Sequence, residues 1–312
     1  MKQTIAVIIL VGIVVWTFFY FYLPTENKVS AVVRCDASTV AVERIAAVES
    51  YRKKWLPNQG EFIATNEYVL NGCSYSFSSD MALNSNITVL YKNNKASSFL
   101  RVIADGDKSI VQYQFTFPPS NSFLERIKSY FDNNKIKKTT QQILNALRLF
   151  TEINENIYGV KMQKSLLKDS TLIAIKGSSK QYPTMNEIYK AIDTLKIYAT
   201  QNGAKATNPP MLNIYVNNDT SYLYMVALPV NKWIDGTGKI SGKRMLAGGN
   251  ILETGEFKGG IYTINKFLKE LENFRADNAS ISPAIPYQSL ITDRSKESDT
   301  SKWITKLYYP VF

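Results

Sequence analysis

The sequence contains no histidine and only two cysteines among its 312 residues. Without an imidazole there can be no Ser-His-Asp triad, no Cys-His dyad and no histidine-ligated zinc. Cys35 and Cys73 are too few for a four-cysteine zinc site or for a cysteine-ligated iron–sulfur cluster. The glycine-rich phosphate loops GxxxxGK[ST] and GxGxxG are also missing. We therefore expect no metal and no cofactor, and what remains is carboxylate chemistry or no chemistry.

Positive charge exceeds negative charge, with 37 Lys and Arg against 26 Asp and Glu. The basic residues cluster at 52–54, 135–138 and 239–244. Such clusters suit nucleic acid, anionic lipid headgroups or simple solvation. The charge alone leaves these alternatives open.

Residues 4–23 form an uncharged apolar run of twenty residues. That length crosses about 30 Å of hydrocarbon as a helix. Trp16, Tyr20 and Tyr22 gather at its C-terminal end, where aromatic residues favour a membrane interface. A cleaved signal peptide is the alternative, although its apolar part is usually about 7–15 residues followed by small residues. We predict a transmembrane anchor over residues 1–24.

The charges around this run bear on its orientation. Lys2 favours an N-terminus inside the cytoplasm, whereas Lys28 and Arg34 favour the reverse. We expect one span with the rest of the chain on the non-cytoplasmic side. There Cys35 and Cys73 could form a disulfide, with two buried free thiols as the alternative.

The next region, 29–156, begins with a β run and a helical segment that ends at Trp55-Leu56-Pro57. Asp105-Gly106-Asp107 indicates a hairpin between two later β runs. A long helical stretch over 122–154 closes the region, with a break expected near Asn133-Asn134. Four β runs lie between the helical segments: Glu67–Phe77, Asn86–Tyr91, Ser97–Ala104 and Ile110–Phe117.

This order of elements resembles the START-like polyketide cyclase/dehydrase family over about residues 29–155. The motifs that carry the resemblance are Asp36–Val40, Trp55–Pro57 and Pro119–Arg126. The resemblance implies a helix-grip domain, in which a curved antiparallel sheet wraps a long helix around an apolar cavity.

Residues 160–312 contain an internal repeat, with copies over 165–232 and 243–312. Each copy reads strand, helix, strand, strand. Amphipathic helices are predicted over 184–202 and 261–274, and their apolar stripes indicate core rather than a cofactor site. The whole chain is therefore predicted to be α+β.

The repeat looks like the GyrI-like small-molecule-binding domain, also found as the effector-binding domain of some AraC- and MerR-type regulators. Both modules occur together in bacterial proteins, which implies a bacterial inner membrane. No helix-turn-helix precedes the repeat, so we expect no nucleic-acid partner. The motifs are Asn202-Gly203 with Pro209-Pro210 and Tyr215, Leu228–Val230, Gly255–Gly259 and Trp303–Val311.

The resemblance implies a ligand pocket between the two copies. In the family, a glutamate four residues before the closing proline faces this pocket, where it attracts cationic ligands or serves hydrolysis. Met225 and Lys306 stand there in this chain, which puts both activities in doubt. Strand alternation places Ile304 and Tyr308 on the same face as Lys306, with Leu307 and Tyr309 opposite. We predict these ligand-binding residues, with Tyr215 and Tyr287 in equivalent places: Tyr215, Met225, Tyr287, Lys306 and Tyr308.

An aromatic pocket with one ammonium favours an anionic or neutral amphiphile. The alternative is that Lys306 reaches solvent and the rings close the cleft. We therefore predict a membrane-anchored protein that binds a small hydrophobic or amphiphilic ligand and has no catalytic residues. One alternative is a hydrolase or detoxifying enzyme using Glu253, Glu256 or Tyr308, although both acids are expected to be solvated. Another is a ligand sensor that acts through a protein partner.

Overall fold

The computed structural model describes residues 2–22, 27–77, 86–92, 94–117, 122–168, 170–217, 221–245, 248–282 and 284–311. The chain divides into two compact units, Met1–Ile153 and Asn154–Phe312. Each unit combines helices with a sheet whose paired strands run antiparallel. The predicted α+β class is confirmed.

The first unit opens with a helix and closes with its longest helix. Its strands form one sheet in the order β1-β7-β6-β5-β4-β3-β2, and α4 packs against β1. Its elements in chain order are α1 (Lys2–Tyr22), β1 (Asn27–Cys35), α2 (Thr39–Ala47), α3 (Glu49–Trp55), β2 (Glu61–Ala64), β3 (Glu67–Leu70), β4 (Cys73–Phe77), β5 (Asn86–Tyr91), β6 (Asn94–Asp105), β7 (Lys108–Phe117) and α4 (Phe123–Thr151).

The apolar N-terminal run forms α1, and its described apolar side chains, such as Ile8 and Leu10, are exposed. Among the residues that the structure describes, no helix has both the length and the apolarity needed to cross a membrane. The anchor expected over 1–24 is therefore not shown, and the inner-membrane location stays a prediction.

The helical segments of this unit differ from expectation in two places. The first divides into α2 and α3 at Val48, whose backbone is extended. The buried Arg52 guanidinium stabilises the division, because it donates to the carbonyls of Ala46 and Ala47 at the end of α2. Conversely, α4 continues through Asn133-Asn134. Burial of Ile136 just beyond these asparagines outweighs their low helix propensity.

The strands also contain hairpins that we did not predict, among them the pairing of β2 with β3. The expected run Glu67–Phe77 is two strands, β3 and β4, joined at Asn71-Gly72. Both residues have positive φ, 52° and 76°, as a two-residue type I′ turn requires. The predicted hairpin at Asp105–Asp107 joins β6 and β7. Residues 118–121, which carry part of the family motif Pro119–Arg126, lie outside the described residues.

Cys35 and Cys73 are free and fully buried. Burial raises the pKa of the Cys35 thiol to about 11. Neither thiol is bonded to the other, so the alternative of two buried thiols is the one observed.

The second unit contains the predicted repeat. Its main sheet path has the order β12-β9-β11-β10-β15-β16-β13-β8, with β14 paired to β16 beside it. The elements in chain order are α5 (Asn154–Tyr158), β8 (Met162–Leu166), β9 (Thr171–Ser179), α6 (Met185–Gln201), β10 (Met211–Asn217), β11 (Ser221–Pro229), β12 (Ile240–Arg244), β13 (Asn250–Thr254), β14 (Phe257–Lys258), α7 (Ile261–Asp277), β15 (Tyr287–Leu290) and β16 (Ile304–Pro310).

The two copies of the repeat share one order of elements. The first copy is β9-α6-β10-β11 and the second is β13-α7-β15-β16, and both helices have 17 residues. Copies meet where β10 pairs with β15 at the centre of the sheet. Residues such as Leu212, Val226 and Leu290 pack with the apolar stripe of α6. The helices therefore cover one face of this sheet.

Candidate functional site

Alternation along β16 assigns its side chains to the two faces of the sheet. Leu307 is fully buried, and the Arg275 guanidinium of α7 lies 5.4 Å from the centre of the Tyr309 ring. Lys306 and Tyr308 therefore point to the other face, away from the helix. This face is the one that the sequence predicted for Lys306.

A cavity of about 510 Å³ lies on that face of the second unit. Its floor consists of side chains from β8, β10, β13, β15 and β16 that share the alternation of Lys306. The walls are formed by Leu166 at the end of β8, Leu167 after it, Asn208-Pro209 before β10 and Ile291 after β15. The volume falls in the range of small-molecule sites, about 300–1,000 Å³.

An ion pair lies in the floor. The Glu253 Oε2 atom is 2.9 Å from Lys306 Nζ, and the Gln163 Nε2 group donates to Glu253 Oε1 at 2.6 Å. The pair is largely withdrawn from water, because the side chains of Lys306 and Glu253 are 23% and 11% exposed. The antiparallel register brings them together: Glu253 of β13 lies opposite Tyr308, two residues from Lys306 on the neighbouring strand.

Both members of the pair are held in their charged forms. Burial opposes ionisation of Glu253, but hydrogen bonds from Gln163 and Lys306 and the charge of Lys306 outweigh it and lower the pKa of the carboxyl. Burial also opposes the charge on Lys306. The hydrogen bond to Glu253, the nearby Tyr308 hydroxyl and the charge of Glu253 nevertheless raise the pKa of the ammonium. Glu253 is thus a poor general acid at neutral pH.

Two tyrosines flank the ion pair. Tyr287 of β15 lies directly opposite Tyr308 of β16, and their rings stack with centres 5.2 Å apart and planes 19° apart. The Lys306 Nζ atom lies 5.1 Å from the centre of the Tyr308 ring. The floor therefore offers aromatic surface beside a compensated ion pair.

Three of the five predicted site residues come together at this cavity: Tyr287, Lys306 and Tyr308. Tyr215 and Met225 do not line it. The Tyr215 side chain is 49% exposed at the far end of β10, and Met225 packs on an apolar cluster that adjoins the cavity through Met211. That any of the five contacts a ligand stays a prediction.

The expected equivalence of Tyr215 and Tyr287 is wrong. The helices and the strands after them align with one constant offset, which matches Tyr287 with Met211 and Tyr215 with Ile291. The strand registers of the two copies align these residues: Ala174 with Glu253, Met225 with Lys306, Ala227 with Tyr308 and Met211 with Tyr287.

Sequence reasoning also misplaced or missed two polar residues. Glu253 was expected to be solvated, but it is buried because Lys306 and Gln163 satisfy its carboxylate. Glu256 is exposed at the cavity edge, as expected. Gln163 was missed together with its strand β8.

Across the described ranges, no group of three His, Cys, Asp or Glu side chains could hold a metal ion.

No protein-family model and no curated protein matches the sequence. Among solved structures, EcmrR in its complex with DNA has a TM-score of 0.43 at 15% identity, over 61% of this chain and 72% of that chain. A hydrolase from Listeria innocua scores 0.38 at 14% identity, over 52% of this chain and 98% of that chain. The Zhui aromatase/cyclase from Streptomyces sp. R1128 scores 0.31 at 13% identity, over 41% and 95%. With every TM-score below 0.5, these likenesses assign this chain neither a function nor a ligand.

Proposed function

We propose that the second unit binds a small hydrophobic or amphiphilic molecule in this cavity, without transforming it. The observation that carries the proposal is the open cavity beside the stacked Tyr287 and Tyr308 rings. Apolar residues such as Met211, Ile251 and Ile291 line it together with polar groups from Gln163 and Ser289. This mixture of apolar surface and a few convergent polar groups is typical of ligand sites.

The geometry does not favour the hydrolase alternative. Glu253 is the buried acid of the cavity, and its carboxylate is occupied by Lys306 and Gln163. Glu256 lies at the exposed edge. A general base or nucleophile must be basic enough to take a proton or attack, and the contacts that lower the pKa of Glu253 make its carboxylate a weak base.

The following hypotheses from the sequence stay predictions: the GyrI-like and START-like assignments, an apolar ligand in the first unit, the membrane location and a protein partner. The binding proposal for the second unit depends on none of them, because it rests on the cavity within residues 163–308 alone.

Fluorescence titration of the full-length chain with N-phenyl-1-naphthylamine, an uncharged amphiphile, tests the proposal. The matched variants are Ile291→Trp, which fills the cavity wall, and Tyr215→Trp, which places the same indole at the equivalent exposed position of the first copy. We expect Ile291→Trp to weaken binding by about tenfold or more and Tyr215→Trp to leave it within about twofold. Equal binding by both variants would mean that the probe binds outside the cavity, and this result would refute the proposal.

A further inference from the structure

The charges around the cavity cancel. Its described lining carries Lys168, Glu253, Glu256 and Lys306 as charged side chains. Lys168 and Glu256 are exposed, whereas Glu253 and Lys306 form the ion pair in the floor. A ligand in the cavity therefore meets one ammonium and one carboxylate side by side.

Each partner in this pair already has its counter-charge. Lys306 Nζ contacts Glu253 at 2.9 Å and lies beside the Tyr308 ring. Glu253 also accepts a hydrogen bond from Gln163. An anion near Lys306 would be repelled by Glu253 at almost the same distance, and a cation near Glu253 would be repelled by Lys306. Neither ion recovers the cost of leaving water.

An uncharged ligand has no such cost. Its apolar part can lie against the tyrosine rings and the aliphatic walls. A hydroxyl or amide can approach the pair without separating it, since an ammonium has three protons and a carboxylate has several acceptor positions. Burial of the pair strengthens these hydrogen bonds relative to those in water.

We infer that the Glu253–Lys306 pair makes the cavity selective for uncharged amphiphiles and disfavours anions and cations of the same size. Glu253 is then a specificity-determining residue that masks Lys306. This inference rests on the proposed function and narrows its ligand class, which the sequence left as anionic or neutral.

The test compares three probes on the full-length chain. N-phenyl-1-naphthylamine is uncharged, 1-anilinonaphthalene-8-sulfonate adds a negative charge to the same scaffold, and a 4-(dimethylamino)styryl-N-methylpyridinium dye is a planar cation. Only binding that Ile291→Trp weakens by about tenfold or more is counted, which removes signal from other surfaces. We expect the wild type to bind the uncharged probe about tenfold or more tightly than either ion.

Two variants unmask one charge each. Glu253→Gln keeps the shape and frees the ammonium, so the sulfonate probe should bind about tenfold more tightly. Lys306→Met frees the carboxylate, and the affinity for the cationic dye should rise by about the same factor. Methionine suits the backbone because Met225 stands at the equivalent position of the first copy. Glu272→Gln is the matched control: it removes an exposed charge from α7, on the other face of the sheet, and should shift all three affinities by less than about twofold.

Unchanged selectivity in Glu253→Gln and Lys306→Met would overturn the inference. So would equal affinity of the wild type for charged and uncharged probes. If a single variant does not fold, the exchanged pair Glu253→Lys with Lys306→Glu provides the measurement, and it should retain the preference for the uncharged probe. Loss of all cavity binding in the wild type would instead refute the proposed function. Cavity binding of the uncharged probe with no charge selectivity would refute this inference alone.

Discussion

The two copies of the repeat in the second unit share a backbone but differ in the sheet face away from their helices. On the side of the first copy, Leu172, Ala174, Met211 and Ala227 are buried in a small apolar cluster, against which Met225, Met245 and Tyr287 pack. In the second copy the aligned positions carry the ion pair and two tyrosines, and the face opens into a cavity whose lining also includes Met211. The backbone therefore supplies two similar faces, and side chains decide which one closes.

The sheet face of the first copy, which the apolar cluster fills, is called the closed face. Introducing an acid there should have the largest effect on the free energy of unfolding. Ala174 aligns with Glu253 but is fully buried among apolar side chains. We expect Ala174→Glu to lower the free energy of unfolding by about 4 kcal/mol or more, because the larger side chain must place its carboxylate within the apolar cluster. Urea unfolding measures this loss. Ala174→Met separates the effect of size from that of charge, and an equal loss in both variants would show that volume alone distinguishes the faces.

Making the open face resemble the closed one should have a smaller effect. Glu253→Ala leaves Lys306 partly buried without its counter-charge and should cost about 2 kcal/mol of unfolding free energy. Adding Lys306→Met reproduces the Ala174 and Met225 pair of the first copy. The double variant should recover at least half of the loss, measured in the same urea series. Strict additivity of the two substitutions would mean that the pair is not coupled.

Much of this comparison was predictable from the sequence. The repeat, its two helices and the face of Lys306 follow from residue spacing, because one side of each element must be buried. The predicted equivalence of Tyr215 and Tyr287 is wrong because it paired two residues by their aromatic type and not by their positions in the equivalent strands. Counting from Pro210 and Pro286, which precede the equivalent strands, would have matched Tyr287 with Met211.

The ion pair could not be predicted in this way. Glu253 and Lys306 lie far apart in the sequence, and their contact depends on the register between β13 and β16. Gln163 belongs to a short strand without a clear alternating pattern. In the first unit, by contrast, the Asn71-Gly72 turn was a readable hairpin signal that we overlooked. Local turn chemistry is encoded in adjacent residues, whereas a site across strands is not.

The stability that the pair contributes should depend on pH, unlike that of the apolar face. The lowered pKa of Glu253 means that its contribution is present above the unfolded value near 4.5 and is lost as pH falls through the folded pKa. The raised pKa of Lys306 means that its contribution is present below the unfolded value near 10.5 and is lost as pH rises through the folded pKa.

The measurement for this prediction is the difference in unfolding free energy between the wild type and Glu253→Gln/Lys306→Met. We expect a plateau of about 1 kcal/mol between about pH 5 and pH 10, with a decline on either side. The same difference for Met225→Leu in the first copy should stay flat with pH, because no titrating group is changed. If the difference in unfolding free energy for the pair is also independent of pH, the charges of the pair do not contribute to the stability of the protein.

The helix ends offer the finest comparison between the copies. After α6, Asn202 is followed by Gly203 with φ 63°, and after α7, Asn278 is followed by Ala279 with φ 49°. Both ends close with the same hydrogen bonds, but only glycine takes positive φ without a steric cost. We expect Gly203→Ala to destabilise the chain by about 1 kcal/mol and Ala279→Gly to stabilise it by about 0.5 kcal/mol, both measured by urea unfolding. Destabilisation by Ala279→Gly would mean that packing of its methyl group outweighs the backbone strain, and the copies would then differ at their helix ends as they do on their sheet faces.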